Sequence, residues 1–169
     1  MTITFELSEA SIDSAIEQIE SYKKKVQANT SKLVEEAATL LEEYAAFELS
    51  KHVWTGETLA SLRKVVRQGG YTARVIVGGA AVWLEFGTGV VANPVGVGGY
   101  AHPKAAELGM YGIGEYGHGH GADPNGWWYK DETGQTRHTY GIPATMFMYH
   151  SAWNVRRDLP DMARRIFKT

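Results

Sequence analysis

Three stretches of the sequence hold residue types that could do chemistry. Gly112-Ile113-Gly114-Glu115-Tyr116-Gly117 matches G-x-G-x-x-G. A dinucleotide site needs that motif between a strand and a helix, so that the helix N-terminus faces the pyrophosphate. Here no apolar strand precedes it and no helical period follows, and in a glycine-rich stretch the match is expected by chance. No cofactor is expected. His118-Gly119-His120 is the second stretch, with His102, His138 and Asp123 as further donors to a zinc or nickel ion. A metal centre needs three or four converging ligands and a shell that orients them. An H-x-H pair on a glycine backbone supplies neither, so these are expected to be loop histidines that hydrogen-bond or face solvent. The third is Trp127-Trp128-Tyr129, which could stack on sugars or bases. No basic cluster stands beside it, so an interface or core role is expected.

Other catalytic patterns are missing. There is no G-x-S-x-G elbow, Walker loop or H-E-x-x-H. Asp158 and Asp161 lie three apart on an expected helix, a spacing that suits a solvated, capped face. With no cysteine, disulfides, thiolate metal sites and cysteine nucleophiles are excluded.

The elements that would position these residues follow from length and patterning. At 169 residues the chain is long enough for a single domain with a hydrophobic core. Its net charge of -2 gives no general pull toward nucleic acid or acidic lipid. No signal peptide is evident, and nothing approaches the roughly 20 apolar residues of a membrane span. Charge is uneven: residues 1–50 hold ten Asp and Glu against four Lys. In 51–74, Lys51, Arg63, Lys64, Arg67 and Arg74 face only Glu57, and the C-terminal end is also basic. Either these are solvated faces, or acidic and basic faces of neighbouring subunits meet.

Residues 8–52 read as helix, started by Ser8 or Ser11 as cap. Ile12, Ile16, Ile19, Tyr22 and Val26 make one stripe. Leu33, Ala37, Leu40, Tyr44 and Phe47 make another. Asn29-Thr30-Ser31 interrupts the pattern, so one long helix or a helix pair is expected. Residues 55–88 read as the β-region. Thr58–Val66 is the first expected strand, Gln68-Gly69-Gly70 the turn and Tyr71–Val77 the second strand, with Val82–Thr88 a third strand or a short helix. Residues 89–140 read as a glycine-rich extended loop. Twelve of the nineteen glycines fall between Gly87 and Gly126. Residues 143–168 read as a C-terminal helix, with Pro143 suited to its first turn and Pro160 expected to kink it. The fold class is then α+β: a small, mostly antiparallel sheet flanked by the N-terminal helix or helices and a C-terminal helix.

One constellation goes beyond these. It runs Thr55-Gly56-Glu57-Thr58-Leu59-x-Ser61-Leu62, then an alternating strand, then Trp83-Leu84-Glu85-Phe86-Gly87-Thr88-Gly89. Later come Gly126-Trp127-Trp128-Tyr129, Thr139-Tyr140-Gly141-Ile142-Pro143-Ala144 and Phe147-Met148-Tyr149-x-x-Ala152. In this order the chain resembles the neck and tail-completion family of lambda-like tailed bacteriophages. Ile12 to Tyr22 followed by three lysines looks like the version found in phages of Gram-positive hosts. Where the family has proline before the aromatic of the last helix, this chain has Met146.

Gly56 and Gly87 suit angles denied to other residues, and Thr88 can cap its own turn. Glu85, among apolar neighbours, is expected to accept backbone N–H groups or to pair with an arginine.

The resemblance implies a structural, non-enzymatic virion protein at the head–tail junction or upper tail end, made in the host cytoplasm. It implies a ring of identical subunits, commonly a hexamer, that contacts head connector or adaptor proteins and the tail tube protein. Phage DNA passes through as a transient occupant, bound weakly and without sequence preference. Two other readings compete: a metal-dependent hydrolase using His118 and His120, and a nucleic-acid-binding module using the basic stretch 51–74.

Overall fold

The computed structural model describes residues 8–52, 56–87, 102–108, 126–131, 133–139, 141–142 and 144–168. It is an α+β arrangement of helices with two small antiparallel sheets. Helix α1 (Glu9–Ser50) is capped by Ser8, whose hydroxyl accepts from the Ser11 N–H. Over 42 residues it spans about 63 Å. No break occurs at Asn29-Thr30-Ser31. The Thr30 hydroxyl donates to the Val26 carbonyl four residues back at 2.8 Å, which leaves the helix ladder intact where a capping role would have ended it.

After α1, a short helix α2 (Glu57–Ala60) stands where the sequence reading began a strand. Its residues fasten a corner. The Ser61 hydroxyl donates to the Thr58 carbonyl and accepts from the Gly78 N–H at 2.9 Å, while Thr58 Oγ1 accepts from the Ala80 N–H. Strands β1 (Arg63–Val66) and β2 (Ala73–Ile76) pair antiparallel, with Arg63 opposite Ile76 and Val66 opposite Ala73. The turn expected at Gln68–Gly70 joins them. This sheet lies on α1. The Lys64 N–H donates to Glu42 at 2.7 Å, Lys64 Nζ reaches Thr39 at 2.7 Å, and Gly70 abuts Ser31 so closely that a Cβ there would overlap the serine hydroxyl.

Val82–Thr88, left open between strand and helix, falls on helix α3 (Ala81–Phe86). Helix α4 (Ala105–Leu108) follows. Within the glycine-rich stretch, where the sequence reading drew no element, β3 (Trp127–Lys130) and β4 (Thr136–Thr139) form a hairpin. Residues 89–101, 109–125, 132 and 140 lie outside the described residues. Helix α5 (Phe147–Phe167) begins later than Pro143 and runs through Pro160 without interruption.

The core is where three helix ends and α2 meet. Ala45, Leu49, Ala81 and Phe147 are buried together, with Leu59, Leu62, Val77, Leu84 and Met148 around them. Ala45 is fully enclosed and Phe147 is 1% exposed, so the small residue on α1 makes room for the ring on α5. Helix α5 then runs antiparallel along α1. Tyr44 hydrogen-bonds Asp158 at 2.8 Å and, further toward the start of α1, Glu36 pairs with Arg165 at 2.7 Å. The Tyr44 bond, and after it the neighbouring Arg157, holds the Asp158 carboxyl below the usual carboxylate range. Phe167 shares a cavity with α1 residues from Gln18 to Asn29. The first turns of α1 therefore project past the end of α5. Among the described helices none is long and apolar enough to cross a membrane.

Candidate functional site

The motif pieces Trp83–Gly87 and Phe147–Tyr149, about sixty residues apart in sequence, meet in space. Glu85 is the last-turn carboxylate of α3 and is 8% exposed. Its Oε2 accepts from the Met148 N–H at 2.8 Å, and its Oε1 accepts from the Tyr149 N–H at 3.0 Å. These are first-turn donors of α5, which have no partner inside their own helix. A carboxylate at a helix N-terminus also meets the positive end of the helix dipole. The residue just before the helix gives no side-chain cap: Met146 has φ 53, the left-handed region. Proline cannot adopt that angle, so this position excludes it.

The fastening is reciprocal. Helix α3 has carbonyls without partners at its own end. Leu84 O accepts from both the N–H and the hydroxyl of Thr145 at 2.8 Å, and Glu85 O accepts from the Met146 N–H at 3.2 Å. Gly87 closes the helix with φ 73 and ψ 176, angles that are essentially restricted to glycine.

The third donor to Glu85 is His102, whose Nε2 lies 2.8 Å from Oε1. Its Nδ1 accepts from the Lys104 N–H at 3.0 Å. An Nδ1 that accepts carries no proton, so these bonds assign the neutral tautomer with the proton on Nε2, donated to Glu85. The ring is 6% exposed and packs against Phe86 at 4.4 Å and Tyr149 at 5.3 Å. Both nitrogens are engaged, so neither offers a lone pair to a substrate. The expectation that Glu85 accepts backbone N–H groups matches this geometry; its further partner is a histidine and not an arginine. Sequence reading had set His102 aside as a spare metal donor. Among the described residues no three His, Asp or Glu side chains converge as metal ligands. His118, His120 and Asp123 lie outside them.

The second feature is the β3–β4 hairpin. Trp127 pairs with Thr139 and Trp128 with His138. Trp128 is 69% exposed, its ring in edge contact with that of His138, centroids 4.9 Å apart. Tyr129 is also exposed. Gly126 starts the hairpin with φ 73, and any Cβ there would run into the Thr139 carbonyl. Asp131 holds the turn: Oδ1 accepts from Thr133 Oγ1 at 2.6 Å and from the Thr133 and Gln135 N–H groups, and Oδ2 accepts from Arg137 Nε at 3.0 Å.

The Thr133 hydroxyl, then the Arg137 guanidinium, holds the Asp131 carboxyl below its usual value. A depressed folded-state pKa means that the turn's contribution is complete above the unfolded value of about 4 and is lost as pH falls through the folded one. The Thr133 and Gln135 amide shifts are expected to report this step, moving as pH falls below about 4. In Asp131→Asn that acid step should vanish. An unchanged step in the variant would show that another group controls the turn.

The remaining motif residues are scattered. Gly56 takes φ 80 at the start of α2 and Trp83 is half-buried on α3. Phe147 lies in the core, not on a subunit surface. Thr55, Thr88 and Pro143 lie outside the described residues, as does the side chain of Trp127. Compared with known protein families, curated proteins and solved structures, the chain matches none.

Proposed function

We propose that the chain is a structural subunit of a tailed bacteriophage, a neck or tail-completion protein that forms a ring at the head–tail junction. The observation that carries this reading is an imbalance between surface and core. Among the described residues, the buried apolar side chains larger than alanine are only Leu49, Met146, Phe147, Met162 and Ile166. Against them stand sixteen exposed large ones, among them Phe47 at 62%, Trp128 at 69% and Trp153 at 58%. Single exposed apolar residues are ordinary, but a surplus on this scale in one small chain suits a subunit that buries much of its surface on assembly.

The chemistry around Glu85 supports the same reading. Its bonds go to helix ends and to a histidine with no free nitrogen, so the most distinctive polar cluster among the described residues serves structure. The order of motifs resembling the phage family adds the place of action. DNA is a transient occupant of the ring, and connector and tail tube proteins are the neighbours.

Purified full-length chain, viewed by negative-stain electron microscopy, is expected to give rings with a central opening wide enough for duplex DNA. Gold-labelled antibody is expected at the head–tail junction of particles that contain the chain. A monomer at all concentrations, or label on the capsid face or tail shaft alone, would overturn the reading.

A further inference from the structure

We propose that the N-terminal stretch of α1 docks on the outward face of the β1–β2 sheet of a second copy of this chain, head to tail. This rests on the ring reading above and names the contact that builds the ring.

Two surfaces carry the inference. The first is the arm. Ile12, Ile16, Ile19 and Tyr22 are 40%, 50%, 56% and 52% exposed, and Ile12 and Ile16 precede Gln18, the first α1 residue beside Phe167. Beside the Ile12, Ile16, Ile19 row runs an acidic row, Asp13, Glu17 and Glu20, with the same spacing and one residue further on. Each acid lies about 100° round the helix from its isoleucine. The arm thus presents an apolar stripe with one acidic flank.

The second surface is the sheet. Side chains alternate between faces along a strand. Lys64 points toward α1, where it meets Thr39 and Glu35. Arg63, Val65 and Arg67 therefore point away from it, with Ile76 opposite Arg63 and Arg74 opposite Val65. All five are exposed. The sheet presents aliphatic side chains set among three arginines.

The charges on both surfaces await partners. Among the described residues, Glu36, Glu48, Lys51, Lys64, Arg137, Arg157 and Arg165 all form ion pairs. No ion pair among the described residues involves Asp13, Glu17, Glu20, Arg63, Arg67 or Arg74. Signs are opposite and both surfaces are partly apolar, so each fits the other. They cannot meet within one chain. The sheet is fastened to α1 by its inner face at Ser31, Thr39 and Glu42, and the arm is the continuation of that same unbroken helix. A second copy is required. Because the two surfaces differ, the contact is heterologous; it leaves one arm and one sheet free at the ends until the series closes as a ring.

The test uses full-length chains in sedimentation velocity at physiological salt. One variant reverses the arm (Asp13→Lys, Glu17→Lys, Glu20→Lys). The other reverses the sheet (Arg63→Glu, Arg67→Glu, Arg74→Glu). All six positions are exposed, and circular dichroism should give the wild-type helix content for both. Each variant alone is expected to self-associate at least ~30-fold more weakly than wild type. Mixing the two should restore assembly, because each reversed arm then faces a reversed sheet. Wild-type assembly by both variants alone would overturn this contact and leave the ring reading standing. Restoration of the arm variant by Lys23→Glu, Lys24→Glu and Lys25→Glu, with the sheet untouched, would instead show arm-to-arm pairing and overturn it. A wild-type chain that stays monomeric would overturn both the contact and the ring.

Discussion

Glu85→Ala is expected to lower the unfolding free energy by about 3–5 kcal/mol, an effect on the scale of removing one partner from a buried, hydrogen-bonded charge cluster. The methyl group leaves two N–H donors of α5 and the His102 Nε2–H without acceptors, at a position 8% exposed. It also removes the charge that faces the start of α5, whose own preceding residue, Met146, holds a left-handed angle and offers no side-chain cap. For a chain of this size the change corresponds to a drop of roughly 10 °C in Tm. Glu85→Gln is the informative partner. Its amide keeps one acceptor but turns an NH2 toward a donor, so an intermediate loss of about 2 kcal/mol is expected. Urea unfolding with calorimetry measures both. A loss below about 1 kcal/mol for Glu85→Ala would show that water replaces the carboxylate and that the clasp does not hold α5 in place.

The clasp also shows where sequence reading reaches its limit. Helix α1 was legible because its stripes repeat, and the β1–β2 turn because Gln68-Gly69-Gly70 precedes the alternating run Tyr71–Val77. That Glu85 needs N–H donors was legible too, since a carboxylate among apolar neighbours must be satisfied. Which donors it finds was not. They come from residues 17, 63 and 64 positions away, and no local pattern encodes that meeting. The misplaced start of β1 has a local cause. Thr58 and Ser61 are β-compatible types, yet their hydroxyls are engaged with Gly78 and Ala80, and the corner they tie forms one turn of helix. The hairpin had a readable signal. Trp127-Trp128-Tyr129 is a run of strand-favouring aromatics, Asp131-x-x-Gly134 a turn, and Thr136 to Thr139 begins and ends on β-branched residues. The glycines that precede it break any longer apolar period.

The same comparison separates what the motif residues do. The pieces that resemble the phage family form an order along the chain. In space, α3 and the start of α5 form one unit through Leu84, Glu85, Thr145 and Met146, with Phe147 filling the pocket lined by Ala45, Leu49 and Ala81. Those residues explain how the subunit stays folded. They are engaged within the chain, so the proposed assembly would draw on a different set of side chains.

Trp128 is the candidate contact for the proposed assembly, and Trp128→Ala is expected to separate assembly from folding. The indole is 69% exposed and touches its cross-strand neighbour His138 by an edge, so its removal takes little from the monomer. The fold should hold, with unfolding free energy changed by no more than about 0.5 kcal/mol, the usual range for a surface substitution. Assembly should not hold. Tryptophan is favoured among the few interface residues that carry most of the binding energy, and its truncation commonly costs about 2–4 kcal/mol, or roughly 30- to 1,000-fold in affinity. Exchanging Trp127 for alanine as well should give a folded subunit that fails to complete particles, leaving separate heads and tails. Sedimentation velocity reads the affinity, calorimetry the fold, and electron microscopy the particles. Whether rings still form in Trp128→Ala tells which face the hairpin serves: rings without complete particles place it against the connector or the tail tube, and loss of rings places it between subunits. A variant that assembles as wild type, or one that loses several kcal/mol of stability, would remove Trp128 from the interface, in the second case because the indole supports the monomer itself.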